Sequence, residues 1–295
     1  MIKTGLCIDF KDMEIKIPWA IANHVESVSL TTKSSRGVIS LDNLCERTEK
    51  LTKGSEITIS TIGIYGNPQE SEKDFEDLRN MILYAGKFHC NMVSTFAGAV
   101  TGRPVEESIG VFQEKFTKLA RTAEDAGVRI AFENCLHQGS WDHATQNIAM
   151  NPRAWTMMFE SVPSDALGLE WEPAHQIAQL ADPVRQLRIW AGKVFHVHGK
   201  DARINRKFIR REGINGSGYL AEFCNPGNGE TDWREIAAIL KESGYEGSIS
   251  LEPGHDPKYS GKWQEEGDRD SLLYIKKCIE YAESADPLYK IGKEI

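Results

Sequence analysis

Eight short β-rich runs recur along the chain with amphipathic helical stretches between them, and this alternation constrains the fold more than any other feature. The runs are Thr4 to Phe10, Val28 to Thr32, Ile57 to Gly63, Met92 to Gly98, Val128 to Asn134, Leu167 to Pro173, Lys193 to Asp201 and Gly247 to Gly254. Several, such as VRIAFEN and GSISLEP, are almost continuously apolar until a final polar or acidic residue, which suits strands buried on both faces. Eight strand–helix units in this order predict an α/β chain closed as a (β/α)8 barrel, whose right-handed crossovers bring every strand's C-terminal end to one face. A doubly wound open sheet is the alternative. Against it, DFKDMEI after the first run offers no GxGxxG cradle for a dinucleotide.

The stretches between the runs carry helix signals. Ser71 with Asp74 has capping-box spacing ahead of Phe75, Leu78, Ile82 and Ala85 on one face, and Gly86 marks the stop. A second helix is predicted from Pro104 through Phe112 and Phe116 to Gly127, and a third from Asp232 through Trp233, Ile236 and Leu240 to Gly244. The first unit is the weakest, with only a poor, short helix over Ile17 to His24. No composition shift or Pro/Ser-rich linker interrupts the chain, which predicts a single domain over residues 1–295. The long connection from Ala202 to Thr231 begins basic, turns glycine-rich and is expected to be an active-site loop.

Thirty-five Lys and Arg against forty-three Asp and Glu give a net charge of −8, which argues against a nucleic-acid partner. The six cysteines are scattered with no CxxC pair, as expected of reduced thiols in a cytoplasmic protein. No apolar run approaches the roughly 18 residues of a membrane span, and no signal peptide is evident, so no membrane partner is expected.

Polar residues able to bind a metal or move protons fall at the ends of four successive runs. Glu133 ends VRIAFEN, Glu172 ends LGLEWEP, His196 and His198 end KVFHVHGKD, and Glu252 ends GSISLEPGH. In a barrel these ends converge. Three carboxylates and an imidazole suit Mn, Mg, Co or a catalytic Zn, and a cation would offset their mutual repulsion. Each residue alone has a plainer reading as a rim charge or a core histidine, and it is their conjunction that points to one divalent metal ion. His196 and His198 share a face by the period of two, one as ligand and the other behind it or in the core. Trp141, Trp155 and Trp171 fit either a sugar-stacking face or core packing.

At these residues the chain resembles the xylose isomerase-like TIM barrel superfamily, and within it the sugar phosphate isomerase/epimerase group related to ketose 3-epimerases and endonuclease IV. The resemblance rests on AFENC at Ala131 to Cys135, LGLEWEPAH at Leu167 to His175, HVHGKD at His196 to Asp201, PGNGETDW at Pro226 to Trp233 and SLEPGH at Ser250 to His255. It implies that Glu133, Glu172, His198 and Glu252 bind one divalent metal and that Glu133 and Glu252 are the acid/base pair. It also implies that His175 contacts a substrate oxygen and that Lys200 and Asp201 line the pocket, while His196 and Arg203 are further candidates for substrate binding. The family usually carries Asp where this chain has Glu172, one methylene longer.

The expected activity is that of a metal-dependent isomerase or epimerase acting on a ketose or keto-sugar, phosphorylated or not, through an enediolate. A lyase that cleaves 3-oxo-glycosides by β-elimination is the alternative, with room for its substrate beside a basic loop containing Arg203, Arg206, Arg210 and Arg211. An endonuclease IV-like nuclease is disfavoured by eight His in total and the acidic balance. The expected partner is a small-molecule sugar, with a homo-oligomer (dimer or tetramer) as an open alternative to the monomer.

Overall fold

A computed structural model of the chain describes residues 1–36 and 40–284. Its strands are β1 (Lys3–Asp9), β2 (Ser27–Lys33), β3 (Thr58–Tyr65), β4 (Met92–Thr95), β5 (Arg129–Glu133), β6 (Leu167–Trp171), β7 (Val194–Gly199), β8 (Asp201–Ile204), β9 (Ala221–Cys224) and β10 (Ser248–Leu251). Its helices are α1 (Met13–Ala22), α2 (Leu41–Thr52), α3 (Glu72–Tyr84), α4 (Val105–Ala126), α5 (Pro152–Ser161), α6 (Ala174–Ala178), α7 (Pro183–Trp190), α8 (Arg206–Glu212), α9 (Trp233–Glu242) and α10 (Gln264–Ser284). Parallel pairing closes the ring in the order β1-β10-β7-β6-β5-β4-β3-β2, the TIM barrel that the alternation predicts.

The outer faces of the strands meet the helices in a continuous core. Phe112 and Phe116 on α4 stack at 4.5 Å and pack edge-on against Phe132 of β5 at 5.7 and 5.0 Å. Edge-to-face pairs of this kind add about 0.5–1.5 kcal/mol each beyond area burial. The inner faces are small and polar in places: a Cβ on Gly5 would stand 2.3 Å from Ser250 Oγ, and one on Gly63 would stand 2.3 Å from Ser94 Oγ. Such close packing needs glycine there.

The predicted caps are present, with Ser71 accepting from the Asp74 amide and Asp232 from the Arg234 and Glu235 amides. Two local expectations change. The first helix is longer than predicted, running from Met13 to Ala22 with Pro18 inside it; burial of Met13, Ile17 and Ala20 against the core outweighs the lost proline donor. The Ala202 to Thr231 connection is also more ordered than a loop. Strand β7 stops at Gly199, and β8 pairs antiparallel with β9 as a separate ribbon at the upper, C-terminal mouth.

Candidate metal and active site

Asparagine clamps fix the strand ends that carry the site. Asn134 donates from Nδ2 to the Glu172 carbonyl and accepts from the Glu172 amide, both at 2.9 Å, tying the end of β5 to that of β6. Asn147 donates to the carbonyls of Glu133 and Cys135, both at 2.8 Å, and accepts from the Ala97 amide at 3.0 Å. The carboxylates are thereby anchored through their backbones, leaving their side chains free for other work.

Those side chains converge at the upper mouth. Ligand atoms of Glu133, His198 and Glu252 lie within 4.8 Å of one another. Glu252 Oε2 is 3.1 Å from Lys200 Nζ and 3.7 Å from His198 Nδ1, while Glu252 Oε1 meets His255 Nε2 at 2.8 Å. Glu172 is fully buried; its Oε1 lies 2.7 Å from His175 Nε2 and 3.8 Å from Lys200 Nζ, so Lys200 bridges it to Glu252. The cavity above has a volume of about 600 Å³ and is bordered by Tyr65, Phe96, His175, Lys200, Phe223 and His255, among others.

One layer deeper, Glu170 accepts from Tyr65 Oη at 2.5 Å, pairs with His196 Nδ1 at 2.8 Å and faces His198 Nε2 at 3.1 Å. His196 Nε2 continues the column to Ser250 Oγ at 3.0 Å. The sequence reading missed Glu170 and Tyr65. The signal for Glu170 was the period of two, which puts it on the same inward face as Glu172.

Burial and crowding set the charge states. Burial pushes Glu133 up to about 8, with Glu252 and Glu172 adding to the rise and His198 opposing it. Burial also works against ionised Glu252, but Lys200 and His255 outweigh it and hold the carboxyl well below its usual range. For Lys200, the facing Glu172, Glu252 and Glu133 overcome desolvation and raise its pKa. His198 is raised because Glu170 and Cys7 overcome desolvation, whereas burial keeps His196 low and neutral.

Both ring nitrogens of His198, both carboxylate oxygens of Glu172 and Glu252 Oε2 are buried without a well-aligned hydrogen bond among the described residues, and what four of these five atoms have instead is the ion-pair contacts given above. An orphaned buried polar atom costs about 1–3 kcal/mol. Glu133, His198 and Glu252 together present a donor set of oxygen and imidazole ligands that suits a divalent cation, whereas Glu172, the fourth ligand predicted from the sequence, stands outside this group and faces His175 and Lys200.

Other predicted site residues lie elsewhere. His196 is turned into the barrel and borders the opposite cavity. Asp201 is turned away from the pocket: it accepts from the Thr231 amide and hydroxyl at 3.2 and 2.6 Å and from Trp233 Nε1 at 3.0 Å. Gly229 presses against it, where a Cβ would come within 2.1 Å of the carboxylate. Arg203 pairs with Glu222 at 2.7 Å on the outer ribbon, and Arg206 pairs with Glu230, so neither is poised to hold a substrate anion. Trp155 and Trp171 are fully buried core residues, and Trp141 lies under Arg153. The aromatic wall is made instead by Phe96 and by Phe223, which sits 4.8 Å from Lys200 Nζ and edge-on to His175 at 4.9 Å. No helix among the described residues is long and apolar enough to cross a membrane.

The profile of the xylose isomerase-like TIM barrel family matches residues 21–284. The uncharacterised protein YfiH of Bacillus subtilis (strain 168) is 26% identical over 294 residues, covering 83% of this chain and 88% of that protein. An inosose dehydratase of Clostridium tetani is 24% identical, covering 64% of this chain and 65% of that protein. Among solved structures, L-ribulose 3-epimerase superposes with a TM-score of 0.71 at 16% identity, covering 100% of this chain and 99% of that one. The 3-keto-D-glucoside 4-epimerase YcjR of E. coli superposes with a TM-score of 0.70 at 12% identity, covering 94% and 100%. At these identities the structural likeness shows the fold.

Proposed function

This chain belongs to the xylose isomerase-like TIM barrel family, and we propose that it is a metal-dependent epimerase or isomerase of a ketose or keto-sugar. The supporting observation is the meeting of Glu133, His198 and Glu252 within 4.8 Å, with His198 Nδ1 and Glu252 Oε2 buried and without a well-aligned hydrogen bond. These three would hold one divalent ion, Mn, Mg, Co or Zn, with Glu172 as the fourth ligand. When bound, the ion supplies Lewis acidity at the substrate carbonyl and its neighbouring hydroxyl.

The chain's own groups do the rest. Glu133 and Glu252 reach the pocket from β5 and β10, which are separated in the ring by β6 and β7. One carboxylate removes the proton next to the carbonyl and the other returns one. Return to the opposite face of the same carbon epimerises the sugar, and return to the neighbouring carbon isomerises it. The Lys200 ammonium, held by Glu252, faces the oxygen on which charge develops. Phe96 and Phe223 cover the apolar side of the sugar and keep water away.

The test is a panel of ketoses, inososes and 3-oxo-glycosides incubated with metal-loaded protein in deuterated water. Deuterium should enter at the carbon beside the carbonyl of the true substrate, and Glu133→Gln or Glu252→Gln should stop it. Undiminished exchange in both variants would overturn the proposal. The likeness to inosose dehydratase favours a second reading, β-elimination from the same enediolate, as in a lyase acting on 3-oxo-glycosides. Release of the substituent without incorporation of water distinguishes it.

A further inference from the structure

We propose that Glu133, Cys135 and His175 form a second divalent-cation site, sharing Glu133 with the first and suited to zinc or cobalt. Their ligand atoms lie within 4.8 Å of one another, as close as those of Glu133, His198 and Glu252. Glu133 ends β5 and Cys135 lies two residues beyond it, so the chain presents both to one side. His175 comes from the first turn of α6.

Three further features favour a cation there. Asn147 grips the carbonyls of Glu133 and Cys135 themselves and directs Nδ2 at Cys135 Sγ from 3.7 Å, the kind of outer support that orients a thiolate ligand. Glu172 Oε1, assigned above to the first site, pairs with His175 Nε2 at 2.7 Å and so orients the imidazole. Phe223 packs edge-on against the His175 ring, limiting its movement. A thiolate and an imidazole beside a carboxylate select borderline-soft ions over magnesium or manganese. The first site has no sulfur in its proposed ligand set, so the two would differ in preference.

The consequence for activity rests on the function proposed above. With the second site filled, Glu133 becomes a bridging ligand between ions, which in such pairs stand about 3.5–4 Å apart. It is then withdrawn from proton transfer, and thiophilic ions slow the reaction.

The site itself is tested by binding. Metal-stripped protein is titrated with cobalt(II) while the near-ultraviolet sulfur-to-cobalt charge-transfer absorption is followed. Two equivalents per chain are expected, with the charge-transfer band developing along with the second. Cys135→Ser should retain one equivalent and lose the band, and His175→Ala, with the thiol intact, should weaken the band's development at least tenfold. One equivalent with no band overturns the second site while leaving the first. A band that survives in Cys135→Ser and disappears in Cys7→Ser places the sulfur at the first site and likewise overturns the proposal. Failure of the folded wild-type protein to take up any cobalt overturns both metal sites.

Discussion

The two mouths of the barrel hold cavities of similar size, about 600 Å³ above and about 500 Å³ below, yet their chemistry is opposite. The upper one gathers carboxylates, imidazoles and an ammonium, several without a well-aligned hydrogen bond. The lower one is bordered by Lys3, Thr58, Ser60, Arg129 and Tyr245, whose polar ends are largely occupied. Lys3 donates to Thr58, Ser60 to the Val28 carbonyl and Tyr245 to the Ser248 carbonyl, while Arg129 lies over the Phe195 ring. Volume alone therefore marks neither end as active. What separates them is unspent bonding capacity, concentrated where the strands end rather than where they begin.

The sharpest way to break this contrast is to neutralise one upper carboxylate. Glu252→Gln should lower α-proton exchange by about 10²–10⁴-fold, the usual share of a general acid or base. Arg129→Ala, at the lower mouth, should leave exchange unchanged. Equal losses, read by NMR, would end the distinction.

Asp201 tests whether a motif residue belongs to the chemistry or to the scaffold. Asp201→Ala strands Thr231 and Trp233 and should cost about 2–4 kcal/mol in denaturant unfolding. Metal stoichiometry should nevertheless be retained.

Stripping the metal should lower Tm by roughly 4 °C, the shift expected for a chain of 295 residues on losing an ion present at about 100 times its Kd. Scanning calorimetry with and without chelator reads this. Glu133→Gln should flatten the difference, and Lys3→Ala should not.

The smallest effect lies outside both mouths. Asp268 on α10 is buried with neither oxygen hydrogen-bonded, and desolvation pushes it up to about 6. The folded state favours the protonated form, so the penalty is absent below the unfolded value near 3.8 and complete above about 6. Asp268→Asn should accordingly match wild type near pH 4 and exceed it by about 1–2 kcal/mol at pH 8 in urea titrations.

Much of this was legible in the sequence because a strand buried on both faces is an apolar run, and all eight runs became barrel strands. The convergence of Glu133, His198 and Glu252 followed from the same logic. What stayed hidden depends on partners far along the chain. Asp201 is closed off by Thr231 and Trp233, and Arg203 by Glu222 across a hairpin that a glycine-rich stretch does not announce. Tyr65 and Phe223 are ordinary aromatics until the fold brings them to the pocket, and Cys135 looks like any buried thiol until His175 stands beside it.

The column running from Tyr65 through Glu170 and His196 to Ser250 joins β3, β6, β7 and β10 through the barrel's interior. Its carboxylate belongs to the second half of the chain and the phenol that bonds it to the first. A chain cut midway would leave an ionised group facing an empty lumen on one side and a stranded hydroxyl on the other. Copying or exchanging half-barrels would therefore require rebuilding this part of the interior, because the contact between Tyr65 and Glu170 spans both halves.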